Sequence, residues 1–150
     1  MPSIIPSYVY TFFVLSIVGT LLICAFSAFS VSMKQDVELE QLKNLLEHVA
    51  AESCEIISTT QTNNSTVTVR VPMPTRLGEK IYWIQFRNDS SRAWIEGGLG
   101  DVPVQTSLVI FVPGMVAASG LYTSGYGFAE LECQLQGTTV CLKISKESGK

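Results

Sequence analysis

Two cysteines near the C-terminus have the spacing of a disulfide across a β-hairpin. The chain of 150 residues has four cysteines, and Gly137 lies midway between Cys133 and Cys141. A three-residue loop at 136–138 would place these two cysteines opposite each other. Opposed cysteines can reach disulfide geometry at a non-hydrogen-bonded pair, and the alternative is two buried free thiols. We therefore predict that Cys133 and Cys141 are bonded or adjacent.

Other residues that could do chemistry do not form a recognisable site. His48 is the only histidine, and no Cys-x-x-Cys pair is present, so the sequence predicts no metal and no cofactor. The glycine pairs at 98–100 and 125–127 do not join a strand to a helix with the spacing of a phosphate loop. With one histidine far from any strand-end serine, a catalytic triad has no support. We expect a protein that is not an enzyme.

Four aromatic residues are candidates for a ligand-binding face, for instance for glycans. Trp83, Trp94, Tyr122 and Tyr126 all fall in the second half of the chain. The alternative is that they form the core and rim of a small β domain, where aromatic residues are common. The net charge is −3, and no Lys/Arg cluster is present, so nucleic acid is not expected as a partner.

Three triplets match the N-glycosylation pattern, and two of them overlap. They bear on which side of the membrane the C-terminal part lies. Their acceptors are Asn63, Asn64 and Asn88. These triplets, together with the predicted disulfide, favour a C-terminal part outside the cytoplasm. Lys34 and Lys43 favour the opposite orientation under the positive-inside rule. We expect the body of the protein to be extracytoplasmic.

A long apolar segment must position everything that follows it. Residues 8–33 read YVYTFFVLSIVGTLLICAFSAFSVSM, and no charge precedes Lys34. A helix of this length exceeds the roughly 30 Å hydrocarbon core of a bilayer. The segment is too long for a cleaved secretory signal and has no basic residue before it. It predicts a membrane-spanning helix or the core helix of a filament, with the membrane as a partner.

The helical pattern continues past the apolar segment as an amphipathic stripe. Apolar residues at three- and four-residue spacing include Leu42, Leu45, Leu46 and Val49. This stripe is predicted either to dock on the chain's own β domain or to contact partner subunits. A polar linker is expected at 58–65.

After the linker the apolar period changes to two residues, which is typical of strands. Trp83 is predicted on one face of a strand that is central or covered on one side by the helix. We predict an α+β fold, in which a long N-terminal hydrophobic helix precedes a small antiparallel β-sandwich or barrel. Strands are expected at 66–71, 80–87, 92–96, 107–112, 119–126, 128–135 and 139–145. The predicted organisation is a transmembrane or filament-core helix at 1–33, an amphipathic extension at 34–57, a linker at 58–65 and a β domain at 66–150.

This arrangement resembles archaeal type IV pilin-like proteins, a group that includes pilins, archaellins and monotopic accessory proteins of the archaellum. The resemblance lies in the apolar segment 8–33, its uninterrupted helical extension to about residue 57, and the β domain from Ser65 onward. It implies a short basic leader removed before the helix, and helices that bundle as a filament core. Residues 1–7 contain no Lys or Arg, so an unprocessed single-pass protein of the same shape fits this sequence better.

The sequence therefore predicts a non-catalytic, single-pass protein of the cell membrane with a structural or adhesive role at the cell surface. Protein partners, or self-assembly through the N-terminal helix, are expected. The alternative is a membrane-anchored module that binds a sugar or an envelope protein through the aromatic residues of its β domain.

Overall fold

In the residues that it describes, the computed structural model has one long helix followed by seven strands. It describes residues 5–89, 91–100, 108–113, 116–137 and 139–146, with backbone alone at 5–7. The helix α1 spans Ile5–Asn63. The strands are β1 (Val67–Pro72), β2 (Tyr82–Asn88), β3 (Ala93–Leu99), β4 (Leu108–Val112), β5 (Val116–Thr123), β6 (Phe128–Gln136) and β7 (Thr139–Lys146). The predicted α+β class, a long N-terminal helix before a mostly antiparallel sheet, is confirmed.

The described strands pair in a single sheet. Their order is β1-β6-β7-β5-β2-β3-β4, and every pair is antiparallel except β5 with β7. Thus β1 and β4 form the two edges, while β2 lies between β5 and β3. This central position agrees with the prediction for the strand that carries Trp83.

The chain divides into two compact units, residues 1–37 and 38–150. In the second unit, the part of α1 from residue 38 onward covers one face of the sheet. Helix residues and alternate strand residues form one core. Its largest fully buried members include Leu42, Leu46, Tyr82, Ile84, Ile95, Tyr122, Leu131, Leu142 and Ile144. The other face of the sheet is called the open face below.

The helix extends further than predicted, so the linker assigned to 58–65 is wrong over 58–63. Ile56, Ile57 and Thr60 are buried, which continues the packing of α1 on the sheet. Three hydroxyls of this polar stretch, those of Ser58, Thr59 and Thr62, donate to helix carbonyls; Thr59 Oγ1 donates to the Glu55 carbonyl at 2.9 Å. The helix ends where Asn64 adopts a φ of 50° and its N–H donates to the Thr60 carbonyl.

Most strand ends lie within two residues of the predicted limits, but two strands differ by three residues. The third was expected to stop before Gly97, but β3 runs through Gly97 and Gly98 to Leu99. These glycines serve close packing: a Cβ on Gly97 would lie 2.8 Å from Leu46 Cδ1, and one on Gly98 would lie 2.7 Å from Trp83 Cζ2. The fifth strand begins earlier than predicted, at Val116, because its first half pairs with the distant strand β7, and it ends earlier than predicted, at Thr123. Residue 107, predicted in the fourth strand, lies outside the described residues.

Candidate functional site

The most distinctive surface of the molecule is the apolar part of α1. Among the described residues, this is the one helix long and apolar enough to cross a membrane. None of its most apolar window is buried within the molecule. Phe12, Leu15, Leu21 and Ile23, for instance, are all exposed. An apolar surface of this extent is unfavourable in water, so it requires lipid or another protein around it.

The stripe predicted for helix packing or assembly is used inside the second unit. Leu42, Leu46 and Val49 are completely buried, and Leu45 is half-buried against the same core. The absence of a side chain at Gly97 lets Leu46 approach β3 closely. Of the two alternatives left open by the sequence, docking on the chain's own sheet is the one observed.

An ion pair that the sequence did not suggest ties the start of this docked helix to the sheet domain. Lys80 Nζ lies 2.8 Å from Glu38 Oε2, and the Glu38 side chain is largely shielded from water. The contact depends on Gly78, which has a φ of 60° and whose Cβ position would lie 2.8 Å from Glu38 Oε1. Since Glu38 and Lys80 are far apart in sequence, no local pattern predicted the pair.

The aromatic residues predicted as a ligand face are not brought together, so that prediction is wrong. Tyr122 is fully buried on the helix side, where its ring centroid lies 6.4 Å from that of Tyr82. Trp83 is buried on the opposite side of the sheet, against Gly98. Tyr126 is exposed beyond the end of β5, with Lys146 Nζ 4.9 Å from its ring centroid. Alternation along the strands places Trp83 and Tyr122 on opposite faces of the sheet, and burial leaves neither side chain accessible to a ligand.

Trp94 remains accessible on the open face and is held in a polar network. Its Nε1 donates to Glu96 Oε1 at 2.7 Å, and Arg87 Nε lies 3.2 Å from Glu96 Oε2. Arg87 also donates to Gln85 Oε1 at 3.3 Å. The residue opposite Trp94 on β4 is Phe111, which no pattern in the sequence distinguishes from other strand residues.

The disulfide prediction is also wrong, because the hairpin loop is one residue shorter than expected. Gln136 pairs with Thr139, so Cys133 opposes Leu142 and Cys141 opposes Gln134. The two cysteines therefore lie on opposite faces of the sheet, and both are free thiols. Burial raises the pKa of the Cys133 thiol. Because the two cysteines are not bonded, one of the two arguments for an extracytoplasmic C-terminal part no longer applies.

The open face carries a shallow polar groove of about 380 Å³. Cys141, Gln134, Glu132, Lys143 and Ser119 are among the residues that line it. The thiol has no imidazole beside it, since the single histidine lies exposed on α1, which covers the other face. The part of the chain that the structure describes also holds no group of three or more metal-ligating side chains. The groove therefore brings hydrogen-bonding side chains of both charges, from Glu132 and Lys143, close to Cys141.

The glycosylation candidates lie on accessible parts of the second unit. Asn63 and Asn64 are exposed at the C-terminal end of α1, and Asn88 is exposed at the end of β2. Residue 90, which completes the third triplet, lies outside the described residues.

Comparisons with protein-family models, curated proteins and solved structures gave no match. Function is therefore inferred from the geometry of this chain alone.

Proposed function

We propose that this protein is a non-catalytic, single-pass protein of the cell membrane. Its sheet domain would lie outside the cytoplasm and serve a structural or adhesive role of the pilin-like type. One observation carries the proposal: α1 has two parts with opposite packing. The apolar part, from Tyr8, exposes its side chains all round, whereas the part from Leu42 onward buries its stripe in the sheet domain. The first part therefore needs an apolar environment, and the second already has one.

The docked stripe bears on how assembly would occur. Leu42, Leu46 and Val49 are occupied by the sheet domain, so assembly through α1 would use the apolar segment before Lys34. The exposed acceptors Asn63, Asn64 and Asn88 support the extracytoplasmic orientation, while Lys34 favours the reverse.

Surface labelling of intact cells tests the orientation. The second unit has exposed lysines, among them Lys80, Lys143 and Lys146. We expect a membrane-impermeant amine reagent to label these lysines in intact cells. Labelling only after lysis would place the sheet domain in the cytoplasm and refute a surface role. N-terminal analysis of the mature protein and electron microscopy of the cell surface then distinguish a filament subunit from an unprocessed anchored protein.

A further inference from the structure

The edge strand β4 has neither a charged residue nor a proline, two of the features that normally protect a sheet edge from pairing. It pairs with β3 on one side, and no other described strand pairs with it. Its residues, Leu108–Val112, include no charge and no proline. The opposite edge, β1, carries Arg70 and ends at Pro72. Charged residues and prolines are the usual protection of edge strands, so β4 is the edge open to a further strand.

The side chains of β4 are only partly covered within the chain. Phe111 is 60% exposed and Val109 is 45% exposed, both on the open face. On the helix side, Leu108 and Ile110 are half-buried at the border of the core. A strand added beside β4 would extend the hydrogen-bonded ladder and cover apolar side chains on both faces at once.

We propose that β4 pairs antiparallel with β4 of a second copy of this chain, about a two-fold axis at Ile110. In this register Val109 opposes the partner's Phe111, Leu108 opposes the partner's Val112, and Ile110 opposes the partner's Ile110. Each pair lies on a single face and joins two apolar side chains. The absence of charge on β4 means that self-pairing brings no like charges together in the ladder.

The symmetry of this contact gives a closed dimer. Both copies use the same strand, so the interface is satisfied by two chains and does not propagate into a filament. The contact lies within the second unit and does not depend on where α1 is anchored. It therefore goes beyond the proposed function, and each can fail without the other.

Cysteine cross-linking of the full-length chain in detergent micelles tests the register. In the proposed pair, the Cα atoms of residue 110 and its counterpart lie about 4.5–5.5 Å apart, within disulfide range. Mild oxidation of Ile110→Cys should therefore shift the chain from monomer to disulfide-linked dimer on a non-reducing gel. A mixture of Val109→Cys and Phe111→Cys chains should give the mixed dimer, whereas Val109→Cys alone should not cross-link above the wild type. Equal cross-linking of Val109→Cys alone and Ile110→Cys would overturn the register.

A charge on β4 tests the contact independently. Phe111→Lys should convert the dimer to monomer in sedimentation experiments, because the lysine would face the partner's Val109. Leu121→Lys is the matched control, since Leu121 is 45% exposed on the same face but lies on β5, away from the edge. Circular dichroism should show that both variants remain folded, because both substituted side chains are exposed. A monomeric wild type, a dimer that survives Phe111→Lys, or equal loss in both variants would overturn the proposal.

Discussion

The thiols of Cys133 and Cys141 lie on opposite faces of the sheet, so their chemical environments differ. Cys133 is buried between the sheet and α1, whereas Cys141 lines the groove of the open face. Gly137 correctly indicated a turn, and the hairpin at 128–145 is confirmed. A turn of two residues instead of three, however, moves every side chain of β7 to the other face relative to β6. Sequence alone does not fix such a shift, because both loop lengths tolerate a glycine with positive φ.

Thiol labelling of the folded chain should separate the two cysteines. We expect a maleimide to modify Cys141 and to reach Cys133 only after unfolding, because the Cys133 thiol is buried and its pKa is raised by desolvation. Cys141→Ser should abolish the labelling of β7 and leave Cys133 protected. Peptide mapping without reduction provides the decisive control. A peptide pair joined through Cys133 and Cys141 would contradict the observed register.

Two buried tyrosine hydroxyls and one buried thiol should also make the folded state less stable at alkaline pH. Burial is the largest cause that raises the pKa values of Tyr82, Tyr122 and Cys133. A raised folded-state pKa adds stability that is complete below the unfolded pKa, about 8.5 for Cys and about 10 for Tyr, and is lost above it. The free energy of unfolding should therefore decrease as the pH rises above about 8.5.

Urea titrations at a series of pH values measure this dependence, with tryptophan fluorescence as the probe. Tyr82→Phe should make the alkaline decrease smaller, although the loss of its 2.7 Å hydrogen bond to the Pro74 carbonyl lowers stability at neutral pH by about 0.5–1.5 kcal/mol. Tyr126→Phe, at an exposed ring, is the control. An alkaline decrease above about pH 10 that is as large in Tyr82→Phe as in Tyr126→Phe would contradict this account.

At the scale of elements, the periodicity of the sequence predicted the helix, the strands and a central or helix-covered position for β2. It failed where a residue served tertiary packing. Gly97 and Gly98 looked like turn residues, yet they lie inside β3. Leu46 fills the space that a side chain on Gly97 would need, and Trp83 does the same at Gly98. The Ser/Thr-rich end of α1 looked like a linker, yet it is helical because Ile57 and Thr60 are buried on the sheet.

Gly120 is the position at which β5 contacts both of its neighbours. It pairs with Phe86 of β2 and with Ile144 of β7, and its φ is 117°. A Cβ there would lie 2.1 Å from the Ile144 carbonyl oxygen, which real structures do not permit. The alanine variant must therefore separate β5 from β7 in addition to adopting a strained φ.

We expect Gly120→Ala to destabilise the second unit by more than Gly125→Ala does. Gly125 has a similar φ of 111°, but nothing lies within 4 Å of its Cβ position. Backbone strain alone should cost about 1–3 kcal/mol in either variant. In Gly120→Ala, the steric overlap of the new Cβ with the Ile144 carbonyl oxygen should add about 1–3 kcal/mol to that cost. Equal urea midpoints for the two variants would show that β5 and β7 are not packed as described.

At the scale of the whole molecule, composition predicted an anchored protein more directly than any local motif did. The apolar segment has an exposed surface that water does not stabilise, whereas the second unit, residues 38–150, has a core of its own. The sequence predicted the membrane and self-assembly through the N-terminal helix, but the proposed contact at β4 was beyond it, because that contact depends on which surfaces remain uncovered after folding. Phe111, for example, was an ordinary strand residue until its place on an edge was known.

Alkaline carbonate extraction of membranes tests the anchor most directly. We expect the wild-type chain and the control Val18→Leu to remain in the membrane pellet. Val18→Arg should shift part of the chain to the soluble fraction, because a charge at the helix centre costs about 2.5–3.5 kcal/mol on insertion. Release of the wild-type chain into the soluble fraction, or equal retention of Val18→Arg and Val18→Leu, would contradict a membrane-spanning α1.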